Sequence, residues 1–189
     1  MKPAWESFFS ELLAVVLGIV ITFAVQGMID RAQDRKNVRS ALELVRVELS
    51  SHLEDISHLK DYLDQQRLSA KYLEQNRDNL DACPEDIVRY HQGMVNADVS
   101  VALSHDALEL LKNSSLFQKV GDNVLSLKII SAYDTCDQIV TDMYHSFSGR
   151  NAQSGDPSSW LLEHNPSDFI NTLDIELAVE AIDAYLKKR

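Results

Sequence analysis

The chain has 189 residues, and its 18 Lys and Arg against 29 Asp and Glu give a net charge of −11. Without residues 1–29, which contain Lys2, Glu6 and Glu11, the remainder holds 17 basic and 27 acidic residues, a net charge of −10. So acidic a surface repels phosphate backbones, and no basic stripe interleaved with aromatic residues offsets it, which argues against nucleic acid as a partner.

An uncharged, mostly apolar segment runs from Leu12 to Ile29. Its residues would form a helix of about 27 Å, close to the ~30 Å thickness of a bilayer's hydrocarbon core. Trp5, Phe8 and Phe9 precede it and suit the membrane interface. A cleavable signal peptide is the alternative, but the start of the chain is not basic and no A-x-A site follows the segment. We therefore predict that residues 1–29 form an N-terminal tail and an uncleaved transmembrane anchor in the lipid bilayer.

Small and polar residues recur every four positions within this segment, and an ionisable residue precedes them on the same side. We call this set the association face: Glu11, Ala14, Gly18, Thr22 and Gln26. Small residues let two helices approach closely, while Thr and Gln can form hydrogen bonds across the contact. Glu11 is expected to face a partner, or else to mark the edge of the membrane. The face predicts association with a second copy or with another membrane protein subunit.

The charges beside the span bear on its orientation. Four basic residues follow it: Arg31, Arg35, Lys36 and Arg39. Only Lys2 and the terminal amine precede it. The positive-inside rule then places residues 30–189 on the cytoplasmic side of a bacterial inner (cytoplasmic) membrane. Because the N-terminal tail is short and the margin modest, a periplasmic domain is the alternative.

No Gly or Pro occurs between Gly27 and Pro84, so the membrane helix is expected to continue into the aqueous phase. Apolar residues recur there in steps of three and four: Leu42, Val45, Leu49, Leu53, Ile56, Leu59, Leu63, Ala70 and Leu73. This spacing predicts a long amphipathic helix with one apolar stripe, extending about 90 Å from Leu12 to Leu73. We expect later helices of the same chain to cover the stripe; a coiled coil with another copy is the alternative.

Several shorter helices are predicted to follow and to complete an all-α bundle. After a turn at 81–85, a helix is expected over 85–96 and a second, capped by Ser104, as far as Lys112. A turn at 113–115 precedes a helix over 121–147, in which Leu125, Ile129, Tyr133, Cys136, Val140, Met143 and Phe147 share one face.

Small and polar residues over 148–157 predict a loop before the C-terminal helices. Ser167 is expected to cap the last helix, whose apolar face would contain Phe169, Leu173, Leu177, Ala181 and Tyr185.

The chain has two cysteines, Cys83 and Cys136, and neither belongs to a C-x-x-C pair. Zinc-ribbon and thioredoxin-like sites are therefore not expected. The two thiols could form one disulfide in an oxidising compartment or lie buried and reduced.

The segment Glu11–Thr22 (ELLAVVLGIVIT), with the acidic-basic run Asp30–Lys36 after it, resembles a family of uncharacterised bacterial single-span membrane proteins. That family is defined only as a domain of unknown function. The region Ala107–Phe117, followed by Leu125–Tyr133, is similar to a second segment of such proteins, in which a helix ends in a turn of small residues. The resemblance implies a membrane protein and supplies no activity.

Motifs of catalysis are missing from the sequence. It contains no P-loop, dinucleotide-binding, G-x-S-x-G or H-E-x-x-H pattern. Two D-x-x-H steps, Asp55/His58 and Asp142/His145, resemble in spacing the Glu-x-x-His steps of di-iron bundles, but solvated helix faces explain them better. The other histidines, His52 and His105 among them, are interpreted as surface residues. We predict no enzyme activity, no catalytic residue, no cofactor and no metal.

Two functions fit these features. The first is a non-catalytic, membrane-anchored structural or accessory subunit that associates through its span and its helical domain. The alternative is a membrane-tethered sensor or regulatory module, whose bundle would bind a ligand and transmit a shift through the long helix.

Overall fold

The computed structural model describes residues 4–78, 102–153 and 170–188, together with Glu85, Arg89, Leu162 and Asn165 as single positions. The regular elements of these ranges are all helices: α1 (Ala4–Gln75), α2 (Asp106–Asn113), α3 (Leu116–Lys119), α4 (Asn123–Gln153) and α5 (Leu173–Lys187). The all-α prediction is confirmed. The predicted turn at 81–85 and helix at 85–96 lie outside the described residues, except that Glu85 and Arg89 are helical.

Helix α1 is one uninterrupted element of 72 residues. At the usual rise per residue it extends about 108 Å. It passes through Gly27 without ending, because a single glycine costs a helix only about 1 kcal/mol and no proline follows until Pro84. The prediction that the apolar segment continues into a long amphipathic helix is therefore confirmed.

The remaining helices pack around the middle of α1. Helix α5 contacts both α4 and α1, and α2 and α3 also contact α1. The shared core begins at Val38, nine residues after the apolar segment ends. It contains the following buried residues: Val38, Ala41, Leu42, Val45, Leu49, Ile56, Ala107, Leu108, Leu111, Val120, Leu125, Ile129, Ala132, Tyr133, Cys136, Ile139, Ile175, Ala178 and Ile182. From Leu42 to Ile56 the predicted stripe of α1 thus lies against helices of its own chain, as expected.

Helix α4 begins two residues later than predicted, at Asn123. Gly121 has φ of 69°, in the left-handed region that glycine adopts without strain, and it turns the chain after α3. The Asp122 carboxylate then accepts hydrogen bonds from the backbone N–H groups of Val124 (3.1 Å) and Leu125 (3.0 Å). These bonds satisfy two of the donors left free at a helix start, so Asp122 is the N-terminal cap.

The same helix ends later than predicted. It continues through Gln153, so the first six residues of the predicted loop at 148–157 are helical. Small and polar composition suggested a loop, but Gly149 is the only strong helix breaker before Gln153 and costs about 1 kcal/mol. The rest of that predicted loop, residues 154–157, lies outside the described residues.

The buried face of helix α5 matches the predicted one only in part: Ala181 and Tyr185 pack partly buried against the core, and Phe169 lies outside the described residues. Leu173 and Leu177 are exposed, whereas Ile175, Ala178 and Ile182 are fully buried. The second set also has helical spacing, and it belongs to the core that α5 shares with α4 and α1. The helix starts at Leu173 with Thr172 as its cap residue, while the predicted cap Ser167 lies outside the described residues.

Candidate functional site

The start of α1 exposes a long apolar surface. From Leu13 to Ile29 its large hydrophobic side chains are 49–73% exposed. Within the described ranges, α1 alone is long and apolar enough to cross a membrane. Because an apolar surface of this extent is costly in water, a bilayer or a partner is the environment that suits it.

The association face lies on this surface, and its described members are exposed. A side chain added at Gly18 would meet no atom within 4 Å, so the helix is open there to close approach by a neighbour. Thr22 Oγ1 donates a hydrogen bond to the Gly18 carbonyl oxygen at 2.8 Å, and Gln26 Nε2 donates to Asp30 Oδ1 at 3.2 Å. Both polar side chains are thus satisfied within their own helix. Glu11 belongs to α1, three residues before Ala14.

A polar cluster inside the bundle is centred on Glu48 of α1. One oxygen of its carboxylate accepts a hydrogen bond from Ser104 Oγ at 2.5 Å. The other accepts from the Ala107 backbone N–H at 3.1 Å and from the Tyr133 hydroxyl. Glu48 therefore holds the start of α2 and the middle of α4 on α1, because its carboxylate accepts hydrogen bonds from both.

This arrangement corrects the predicted role of Ser104. No side chain next to α2 forms a cap bond, and the N-terminal cap residue is His105. The cap is supplied from a distant helix instead, since the Glu48 carboxylate accepts the Ala107 N–H. A carboxylate at a helix N-terminus also interacts favourably with the helix dipole.

His52 lies one turn after Glu48 and is 3% exposed, which contradicts the interpretation of this histidine as a surface residue. Its Nδ1 is 3.6 Å from Cys136 Sγ, and its ring meets that of Tyr133 edge-on, with centroids 6.1 Å apart. His52 is therefore buried against α4, although the charged residues around it in the sequence favoured a position in solvent.

Cys136 is fully buried and forms no disulfide within the described part of the chain, while Cys83 lies outside the described residues, so their pairing stays open. Burial raises the pKa of the Cys136 thiol to about 12, and the Asp137 and Glu48 charges act in the same direction. The thiol is therefore protonated at neutral pH and a poor nucleophile. Burial likewise raises the pKa of Tyr133 well above its usual range, and its bond to Glu48 raises it further.

His105 completes the cluster from the α2 side. Its ring stands edge-on to that of Tyr133 with centroids 5.1 Å apart. Its Nε2 is 3.2 Å from Asp137 Oδ1, but the two atoms are not aligned for a hydrogen bond. With a side chain 30% exposed, His105 connects the cluster to solvent.

The cluster has one signal in the sequence. Glu48 and His52 are four residues apart and lie between the apolar residues Val45, Leu49 and Ile56, so they share the edge of the buried stripe. Polar residues at such positions need partners from a second helix. The identity of those partners depends on the fold and cannot be obtained from spacing.

Of the two D-x-x-H steps, the side chain of His145 lies outside the described residues, while His58 and Asp142 have only neighbouring polar residues of their own helices as partners within the described ranges. His58 lies 4.0 Å from Glu54 with both side chains more than 70% exposed, and Asp142 accepts a hydrogen bond from Gln138 at 2.6 Å. Among the described residues, no group of three or more His, Cys, Asp or Glu side chains could hold a metal ion.

The buried histidine makes the stability of the bundle depend on pH. Desolvation is the main cause that lowers the pKa of His52 below 6.5; His105 acts in the same direction, while Glu48 and Asp55 oppose it. The unfolded chain binds a proton at His52 more readily than the folded chain does. The stability that the neutral, buried His52 gives the bundle is therefore fully present above pH 6.5 and is lost as the pH falls towards the lower pKa of the folded chain. We expect the melting temperature, followed by circular dichroism, to fall between pH 7.5 and 5.5.

Two matched variants test this prediction. His52→Gln should reduce the fall in melting temperature between pH 7.5 and 5.5, and His58→Gln, which removes an exposed histidine, should leave that fall unchanged. An identical slope in wild type and His52→Gln would contradict the assignment.

Comparison of the chain with protein-family models, curated proteins and solved structures gives no match.

Proposed function

We propose that this chain is a non-catalytic, membrane-anchored structural or accessory subunit, which associates through the association face of α1 with a second copy or with another membrane protein. The observation that carries the proposal is the division of one helix into two parts. Its first part exposes apolar side chains, and its second part is the central helix of a bundle. Such a chain holds a folded domain at the bilayer surface.

The openness of α1 at Gly18 supports lateral association. Transmembrane helices associate chiefly by close packing, which small residues permit, and polar side chains add hydrogen bonds worth about 1 kcal/mol each. The bonds of Thr22 and Gln26 within α1 could be exchanged for bonds to a partner without leaving a polar group unpaired in lipid. The resemblance to single-span membrane proteins points to the same class.

The acidic-basic flank Asp30–Lys36 supports a cytoplasmic position for the bundle by the positive-inside rule. A cysteine reagent that cannot cross membranes, applied to intact cells carrying Ser57→Cys on the exposed face of α1, tests this orientation. Labelling only after the cells are opened is the expected result, and labelling from outside would place the bundle on the other side.

Association is tested by purification in a mild detergent and measurement of the particle mass. The wild-type chain should be recovered as a homo-oligomer or with other subunits. Gly18→Ile places a branched side chain at the point of closest approach and should weaken association at least about tenfold, or ~1.4 kcal/mol.

Ala24→Ile is the matched control, because it adds similar bulk on roughly the opposite side of α1 and should leave association unchanged. A monomeric wild-type chain, or equal association of both variants, would contradict the proposed function.

A further inference from the structure

A basic cleft lies where the bundle meets the apolar part of α1. Its volume is about 430 Å³, and it is lined by Arg35, Lys36, Val38, Arg39, Lys119, Tyr185 and Leu186. Three helices contribute, α1, α3 and α5. The Tyr185 hydroxyl donates a hydrogen bond to the Val120 carbonyl oxygen at 2.8 Å, which holds the end of α5 beside α3.

The positive charge of this cleft is local. Two of its cations pair with carboxylates: Lys119 lies 2.8 Å from Asp34, and Arg39 lies 3.2 Å from Glu43. Arg35 and Lys36 are exposed and form no ion pair with any residue that the structure describes. Four cations against two carboxylates therefore leave a positive patch on a chain whose net charge is −11.

Lys187 and Lys188, at the end of α5, follow the cleft residue Leu186 and are exposed. Lys187 lies near Arg39 and Leu186 on the surface next to the cleft, which Glu43 and Asp183 also line. Since the acidic remainder of the chain repels anions, this end of the bundle is where a negative ligand is attracted.

The position of the cleft along α1 indicates the source of such a ligand. Arg35 is six residues and Arg39 ten residues beyond Ile29, or about 9 and 15 Å along the helix axis. The polar headgroup layer occupies the first several ångströms outside the hydrocarbon core, and Lys and Arg side chains can reach back several ångströms towards it. The cations therefore lie at the level of lipid headgroups when the apolar segment spans the bilayer.

We infer that this cleft binds the phosphate headgroup of an anionic phospholipid, with Arg35 and Lys36 as its main contacts and Tyr185 and Leu186 as its apolar wall. The inference rests on the membrane anchoring in the proposed function, but it does not require lateral association. Bound lipid would fix the depth and the tilt of the bundle at the membrane surface.

The test uses the full chain in a mild non-ionic detergent and native mass spectrometry to count retained lipids. Phosphatidylglycerol and phosphatidylcholine are compared at equal concentrations. Retention of phosphatidylglycerol is expected to exceed that of phosphatidylcholine. The double variant Arg35→Gln/Lys36→Gln should weaken phosphatidylglycerol binding by about tenfold or more, because each basic residue near the surface contributes about fivefold.

The charge-matched control is Lys60→Gln/Lys71→Gln, which removes two exposed cations from the distant part of α1 and should retain phosphatidylglycerol like the wild type. Circular dichroism verifies that both double variants are folded. Equal retention of the two lipids by the wild type, or unchanged binding in Arg35→Gln/Lys36→Gln, would overturn the inference. Displacement of the lipid by millimolar inorganic phosphate would also overturn it, because the site would then prefer a free anion.

The same spectra separate this inference from the proposed function. Particle mass reports association, and the added lipid mass on each species reports the cleft. A chain that is monomeric but retains phosphatidylglycerol contradicts only lateral association, and an oligomer without lipid selectivity contradicts only the lipid site.

Discussion

Replacement of Glu48 by alanine is expected to destabilise the bundle by about 3 kcal/mol. The change removes the acceptor of the buried Tyr133 hydroxyl and the cap of α2 in one step. A buried donor left unpaired costs about 1–3 kcal/mol, and a lost helix cap costs about 1 kcal/mol. Urea unfolding of the full chain in a mild detergent, followed by circular dichroism, measures the free energy of unfolding.

The control for this prediction is Glu54→Ala, because the Glu54 side chain is 76% exposed and lies 4.0 Å from the exposed His58. It should change stability by less than about 0.5 kcal/mol. Tyr133→Phe should cost about 1–2 kcal/mol, and the double variant with Glu48→Ala should be less destabilised than the sum of the two, because both remove the same bond. Equal stability of Glu48→Ala and Glu54→Ala would show that the cluster does not hold the three helices together.

Leu49→Ala is expected to destabilise the bundle by about 2–5 kcal/mol, measured by the same unfolding experiment. Leu49 is fully buried in the core that α1 shares with the shorter helices, so its truncation loses apolar burial and leaves a cavity. Leu44→Ala is the matched control on the same helix, because Leu44 is 50% exposed.

We expect Leu44→Ala to cost less than about 1 kcal/mol. A cost at Leu44 as large as that at Leu49 would contradict the assignment of the buried face of α1.

The long stripe of α1 could be predicted because its signal is local and repeated. Leu42, Val45, Leu49, Ile56 and Leu63 recur over six turns, and no breaker interrupts them. A pattern of this length selects both the type of element and its buried face.

Features that depend on which helices meet could not be predicted in this way. On α5, Leu173 and Leu177 have the same helical spacing as Ile175 and Ile182, and the packing of α5 on α4 and α1 decides which pair is buried. The cap of α2 also depends on which helices meet. Ser104 is a residue type that often caps helices, but the acceptor at the start of α2 is Glu48, 56 residues before Ser104 in the chain. The association face was found from its spacing, and its role stays a prediction.

The basic cleft was visible in the sequence only in part. Arg35, Lys36 and Arg39 were identified as a flank that orients the span, but Lys119 and Tyr185 come from distant positions. Lys119 and Tyr185 come close to Arg35 because α5 packs along α1 and ends near the start of the bundle.

The unbroken course of α1 fixes an angle between the association face and the folded bundle. Ala14, Gly18 and Thr22 each precede a core residue, Ala41, Val45 and Leu49, by 27 positions, or about seven and a half turns. Half a turn separates the members of each pair, so the two surfaces point in opposite directions around the axis. Neighbouring spans could therefore touch along their small residues while their bundles project outwards without collision, and one inserted residue would rotate this arrangement by about 100°.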